Sequence, residues 1–311
     1  MKRTILSIMS LLALMTVVSS CNSDDAPSSE SIFKTEEKPQ SEFDKWLYTN
    51  FTQPYNIEFR YRYQDSETDN YYNVVPADPE KAKALAILVK ALWIDPYETV
   101  FGSNFIKQYG PKVYQLLGSP EFNNQGSIVL GYAESGVKIT LFRVNELDLD
   151  NIFVNTEDAY RNHYSLPLDL NHWYFHTMHH EFFHIMTQTR NFPTDFNLIS
   201  AGKYHTSDWI NVDDDEAPLE GFVTGYASSE PNEDMAEVFS TYVTSTDKVW
   251  NQIMNQAIVD GDMTYYNVLQ QKVDMVRDYL NDSWGISLDA LREEVLKRTA
   301  GVYDLDLKTL K

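Results

Sequence analysis

Hydrophobic and polar positions change period several times along the chain, and each change predicts an element. Ile57, Phe59, Tyr61 and Tyr63 alternate with Glu58, Arg60 and Arg62, the two-residue period of a strand with one buried face. From Pro79 to Trp93, Leu85, Ile87, Leu88, Val89 and Leu92 predict a helix. Ser127 to Ala133 and Val137 to Val144 read as strands joined across Glu134-Ser135-Gly136. The second of these is the strand expected to pair with an extended peptide. No Gly or Pro then interrupts His172 to Arg190. Pro167 and Asn171 offer a start signal, and Asn191-Phe192-Pro193 a stop. Trp173, Phe175, Phe182, Phe183, Ile185 and Met186 give this helix enough apolar surface to be buried. A loop-rich stretch follows to Ser229. From Asn232 to about Ser245, Met235, Val238, Phe239 and Tyr242 form another helical stripe, and helical segments continue to Lys297. Strands ahead of helices predict an α+β fold with a small N-terminal mixed sheet and a mainly helical C-terminal half.

The first forty residues follow other rules. Lys2 and Arg3 precede an apolar run from Ile5 to Val18, too short to span a bilayer and typical of a secretory signal. Val18-Ser19-Ser20-Cys21 resembles a bacterial lipobox, with cleavage before Cys21 and lipid on its sulfur and its new amino group. Cys21 is the one cysteine among 311 residues. Asn22-Ser23-Asp24-Asp25 resembles the acidic signal that sends some such lipoproteins to the cell surface. Residues 1–20 are therefore expected to be a signal peptide and residues 21–41 an acidic flexible tether. Twenty flexible residues have an r.m.s. span of roughly 25 Å. Residues 42–311 form the globular part, divided into subdomains 42–190 and 191–311.

Loss of the leader moves the formal charge from −21 to about −23, because Lys2 and Arg3 leave with it. So acidic a chain argues against nucleic acid or an anionic membrane face as a partner. With its cysteine lipidated the mature chain has no disulfide, and stability must come from a core, for which its length is ample. The run Asp213-Asp214-Asp215-Glu216 lacks the glycine and spacing of a calcium loop and reads as a solvated acidic loop. The 20 Tyr and 16 Phe read as an aromatic core.

His180-Glu181-Phe182-Phe183-His184 changes the picture most. On a helix the two histidines sit one turn apart, about 40° around the axis, so both imidazoles can reach one metal ion. Glu181 points about 100° away, where it can act as a base toward water on that ion. All seven histidines fall between His163 and His205. His176, one turn before His180, is a secondary candidate, while His163, His172, His179 and His205 read as structural. A catalytic zinc needs a third protein ligand. The positions of the HExxHxxGxxH solution hold Thr187 and Arg190, so that solution fails. The best candidates lie in Glu233-Asp234-Met235-Ala236-Glu237, where Glu233 and Glu237 share a helix face. One can bind the metal while the other accepts from the far nitrogen of a ligand histidine. Glu220 and Glu230 stand behind them.

HExxH followed by Glu-x-x-Ala-Glu resembles the gluzincin metallopeptidases, and its form particularly resembles their lethal-factor-like branch. The resemblance implies that Glu233 is the third ligand beside His180 and His184, that Glu237 lies behind the ligands, and that Tyr226 assists the reaction. Taken whole, the chain resembles the substrate import-associated zinc metallohydrolase lipoproteins, encoded beside TonB-linked nutrient receptors. That likeness covers the lipoprotein signal, the His-His-Glu-x-x-His helix and Gly221 to Glu237. It implies a zincin-like fold, one zinc ion per chain, a peptide or protein substrate, an outer-membrane lipid anchor and an adjacent SusC/SusD-like uptake complex. Two other readings stay open: a non-catalytic scaffold that binds a nutrient for a transporter, and a zinc hydrolase acting on a non-peptide amide. Retention of Glu181 weighs against the first, because a structural zinc site needs no base.

Overall fold

The computed structural model describes residues 40–64, 74–122, 128–129, 131–134 and 137–311. The expected leader, Cys21 and the expected tether as far as residue 39 lie outside them, as do Ser135 and Gly136. Among the described residues there are six strands: β1 (Glu58–Arg60), β2 (Val113–Leu116), β3 (Glu121–Phe122), β4 (Ile128–Val129), β5 (Gly131–Glu134) and β6 (Lys138–Leu141). Four form one sheet in the order β1-β2-β6-β5, and β3 and β4 pair separately. The first three strands of the sheet run parallel, with Phe59, Tyr114 and Ile139 in register, and β5 runs antiparallel at the edge. The alternation read at Ile57 to Tyr63 is real: Ile57, Phe59 and Tyr61 are buried while Glu58 and Arg62 face solvent.

β2 has no such alternation, because Tyr114, Gln115 and Leu116 are all buried in the middle of the sheet, and central parallel strands lose their polar face. The same burial corrects the expectation for 137–144. β6 has β2 on one side and β5 on the other, so neither of its edges can accept a peptide. The outer edges belong to β1 and, on the side of β6, to β5.

The crossover from β1 to β2 contains the helix Pro79–Val89, which continues past Trp93. A wide turn over Lys90–Ile94 leads directly into Asp95–Phe101. Pro96 falls directly after this wide turn, where the regular hydrogen-bond ladder of the helix is already interrupted.

The histidine helix opens with a wide turn at Asn171–His176 and becomes regular over Thr177–Thr189. Its start is held by buried Asp169, whose Oδ1 accepts from the backbone N–H of Asn171 and of Asn155, each at 3.0 Å. Two adjacent phenylalanines then fix its orientation. Phe182 packs edge-on against Trp93 at 5.2 Å and Tyr97 at 5.0 Å, tying the helix to the crossover. Phe183 stacks on Phe239 at 4.5 Å, tying it to the glutamate helix, Pro231–Thr244. Full burial of such a ring contributes about 1.5–3 kcal/mol, so the two rings together resist rotation of the motif. Arg292 closes the far end of the glutamate helix, donating to the carbonyls of Tyr242 at 2.9 Å and Ser245 at 2.8 Å. Helices Thr264–Tyr279 and Leu288–Ala300 pack on its remaining sides. The result is a helix-rich α+β fold whose core runs on from the sheet into the C-terminal helices.

Candidate metal centre

The histidine and glutamate helices cross so that three ligand-type atoms converge. His180 Nε2 lies 2.9 Å from Glu233 Oε2 and 3.0 Å from His184 Nε2, and the third side of the triangle is 3.3 Å. His180 is almost fully buried, while His184 and Glu233 are partly open to a cavity. Behind the triangle, Glu237 Oε1 accepts from His180 Nδ1 at 2.7 Å and from His176 Nε2 at 2.9 Å, and its Oε2 accepts from the Thr224 hydroxyl at 2.7 Å. Thr224 also receives the backbone N–H of Ala227 at 3.1 Å.

This donor set fits zinc. With its Nδ1 proton given to Glu237, His180 turns the lone pair of Nε2 toward a carboxylate oxygen and toward a second imidazole nitrogen. Three acceptors packed this closely repel unless positive charge sits among them. Around a tetrahedral zinc with bonds of about 2.0–2.1 Å, neighbouring ligand atoms lie about 3.3 Å apart, close to the sides observed. Two imidazoles and one carboxylate also leave the open fourth position of a catalytic site. A second grouping, His176, His180 and Glu237, is equally tight. There every contact is already satisfied as an N–H or O–H bond to Glu237, so it serves to aim His180.

The electrostatics agree. Burial works against charge at His180, but hydrogen bonds to Glu233 and Glu237, with the nearby Glu181 charge, raise its pKa. Burial likewise works against charge on Glu233 and Glu237, yet the histidines hold both carboxyls well below the usual carboxylate range. Without a metal, positive charge on the histidines balances these two buried carboxylates, the place that a zinc ion would take.

A cavity of about 670 Å³ opens beside the triangle, with Glu181, His184, Tyr226 and Glu233 in its wall. Glu181 thus faces the same space as the ligand set without belonging to it. Tyr226 stands over His180 with ring centroids 5.8 Å apart, and Trp209 packs edge-on against it at 4.9 Å. Burial, together with the charge and hydrogen bond of Glu233, raises the Tyr226 hydroxyl far above its ordinary pKa, so it remains a proton donor.

Other sequence candidates lie elsewhere. His176 reaches Glu237 and stops outside the triangle. Glu220 is taken by His205 at 2.7 Å, and Glu230 lies in the cavity wall outside both metal groupings. His163 and His172 stack on each other at 3.5 Å, and His179 is buried against the Tyr97 hydroxyl at 2.8 Å, with its pKa pushed down to about 3 by burial. Within the acidic run, Asp214 accepts from the Gly225 N–H at 2.9 Å and so secures the loop that carries Thr224 and Tyr226. Thr224 escaped the sequence reading. The one signal available was its place two residues before Tyr226, and no spacing rule ties it to Glu237.

Comparisons with known proteins concern this same region. The chain matches, over residues 36–289, a family described as "Putative zinc-binding metallo-peptidase". A crystal structure of a protein described in the same words, from Bacteroides caccae, is similar with 36% identity and a TM-score of 0.69, covering 90% of this chain and 100% of that one. No curated protein matches.

Proposed function

The chain belongs to this zinc-binding metallopeptidase family, and from that premise we propose that it is a membrane-anchored zinc peptidase of the gluzincin type. The carrying observation is the triangle of His180 Nε2, His184 Nε2 and Glu233 Oε2 at the wall of a cavity that Glu181 also lines. Zinc held by these three residues supplies a Lewis acid that polarises a carbonyl and draws the pKa of water toward neutrality.

The remaining steps belong to the chain's own groups. Glu181 takes the proton from the attacking water and passes it to the leaving amine, a role that suits a carboxylate beside the ligands but outside their set. Tyr226, kept protonated, donates to the oxyanion that develops on the scissile carbonyl. Glu237, braced by Thr224 and His176, holds the His180 ring so that Nε2 keeps its aim. The outer edge of β5, which packs against the histidine helix, offers backbone pairing to an extended substrate. The lipobox at Val18 to Cys21 and the resemblance to import-associated lipoproteins support an outer-membrane location beside a TonB-linked nutrient receptor.

Glu181→Gln tests the reading, since it preserves shape and removes the base. Zinc content should stay near one per chain while turnover on a mixed peptide library falls by about 10² or more. Equal loss of zinc and activity would make Glu181 a ligand or a structural residue. A chelator-insensitive wild type would remove zinc from the reaction altogether.

A further inference from the structure

The cavity beside Glu181 has a one-sided composition. Its wall holds three carboxylates, Glu181, Glu230 and Glu233, and among the described residues no Lys or Arg. The closest basic side chain in sequence, Arg190, is turned away: it donates to the Ser283 carbonyl and lies over the Trp284 ring at 4.3 Å. Two of the three carboxylates have tasks, Glu233 in the ligand triangle and Glu181 as base. Glu230 has none. Its side chain makes no cap bond to the helix that starts beside it, and among the described residues it enters no ion pair. Ile185, Phe192, Pro193 and Met235 give the same cavity an apolar wall, and Asn197 and Asn232 add carboxamides that can accept as well as donate.

A long side chain with an apolar stem and a cationic head matches this arrangement. Lysine and arginine bury their methylenes against apolar surface while the charged head keeps polar company. Glu230 is itself exposed, so a neutral apolar side chain would cover the stem wall but gain nothing from its carboxylate. An acidic one would meet like charge.

We propose that this cavity is the pocket for a basic residue flanking the scissile bond, with Glu230 the side chain that selects it. The inference rests on the peptidase reading above. It makes Glu230 a specificity residue, since it meets the substrate away from the reacting atoms.

Matched peptides carrying Lys, Met or Glu beside the scissile bond, located first with a mixed library, test it in two arms. In the kinetic arm, wild type should prefer Lys over Met in kcat/KM, and Glu230→Gln should reduce that ratio by about tenfold or more. Glu230→Lys should turn the preference toward Glu. In the binding arm, zinc-loaded Glu181→Gln should bind the Lys peptide more tightly than the Met peptide, and the gap should close in the double variant with Glu230→Gln. Cleavage without a basic preference overturns the pocket assignment and leaves the peptidase reading standing. If wild type cleaves no peptide, the peptidase reading falls. The binding arm then decides the pocket alone, and equal affinity for Lys and Met peptides overturns it.

Discussion

His180 is the residue on which the site turns, because each of its ring nitrogens has a different employer. Nε2 joins Glu233 and His184, while Nδ1 is held by Glu237. Glu233 and Glu237 therefore differ in kind although they share one helix face. Glu233→Ala removes an oxygen from the triangle and leaves two protein ligands, so zinc should be lost outright. Glu237→Ala leaves the triangle intact but frees the His180 ring, and zinc affinity should weaken by about 10- to 100-fold. Titration of both variants against a competing chelator checks this, and a larger loss in Glu237→Ala would reverse the two roles. The sequence showed both glutamates because four-residue spacing on a helix is a local fact. It did not show Asp169 or Thr224, whose partners are brought to them by the fold: Asn155 lies fourteen residues from Asp169, and Glu237 thirteen from Thr224.

At the scale of elements, the two helices that carry the site were legible nearly to their ends, since their apolar stripes and their proline and asparagine punctuation lie in the chain itself. The sheet was less so. β2 carries no alternation, and nothing local in residues 137–144 says that β6 is flanked on both sides, because strand order is a long-range property. The join between the glutamate helix and its neighbours is also invisible locally. Asp234, one residue beyond Glu233, forms a wholly buried ion pair with Lys272 at 2.6 Å. Burial pushes the Asp234 carboxyl up to about 6 and the Lys272 amine down. Lys272 also donates to the Gly221 carbonyl at 2.7 Å, at the head of the loop bearing Thr224 and Tyr226. Gly221 has φ +87°, and a Cβ there would lie 2.9 Å from Val268 Cγ1, so this close approach needs glycine. Lys272→Met leaves Asp234 buried without its partner and should cost about 3–5 kcal/mol. Adding Asp234→Leu removes the stranded charge, so the double variant should lose less than the single one. Urea unfolding of the three proteins measures it, and a single variant as stable as wild type would show that the pair contributes nothing.

For the whole molecule, the proposed anchor and the chemistry are expected to be separable. Residues from Ser41 onward cluster as a unit with their own core, and every group of the candidate site lies between His176 and Glu237. With one cysteine in the chain, no disulfide can form within it. A second signal is expected to matter too, because a single acyl chain binds a membrane only marginally, and a lipidated N-terminal cysteine with more than one chain holds firmly. Cys21→Ser should therefore move the protein out of the membrane fraction or leave its leader uncleaved, while zinc content and peptide turnover per purified molecule stay at the wild-type level. Fractionation, intact-mass measurement and the peptide assay are read together. Membrane association with normal processing in Cys21→Ser would refute lipidation at this residue. Release accompanied by loss of zinc would refute the independence of the site from its anchor.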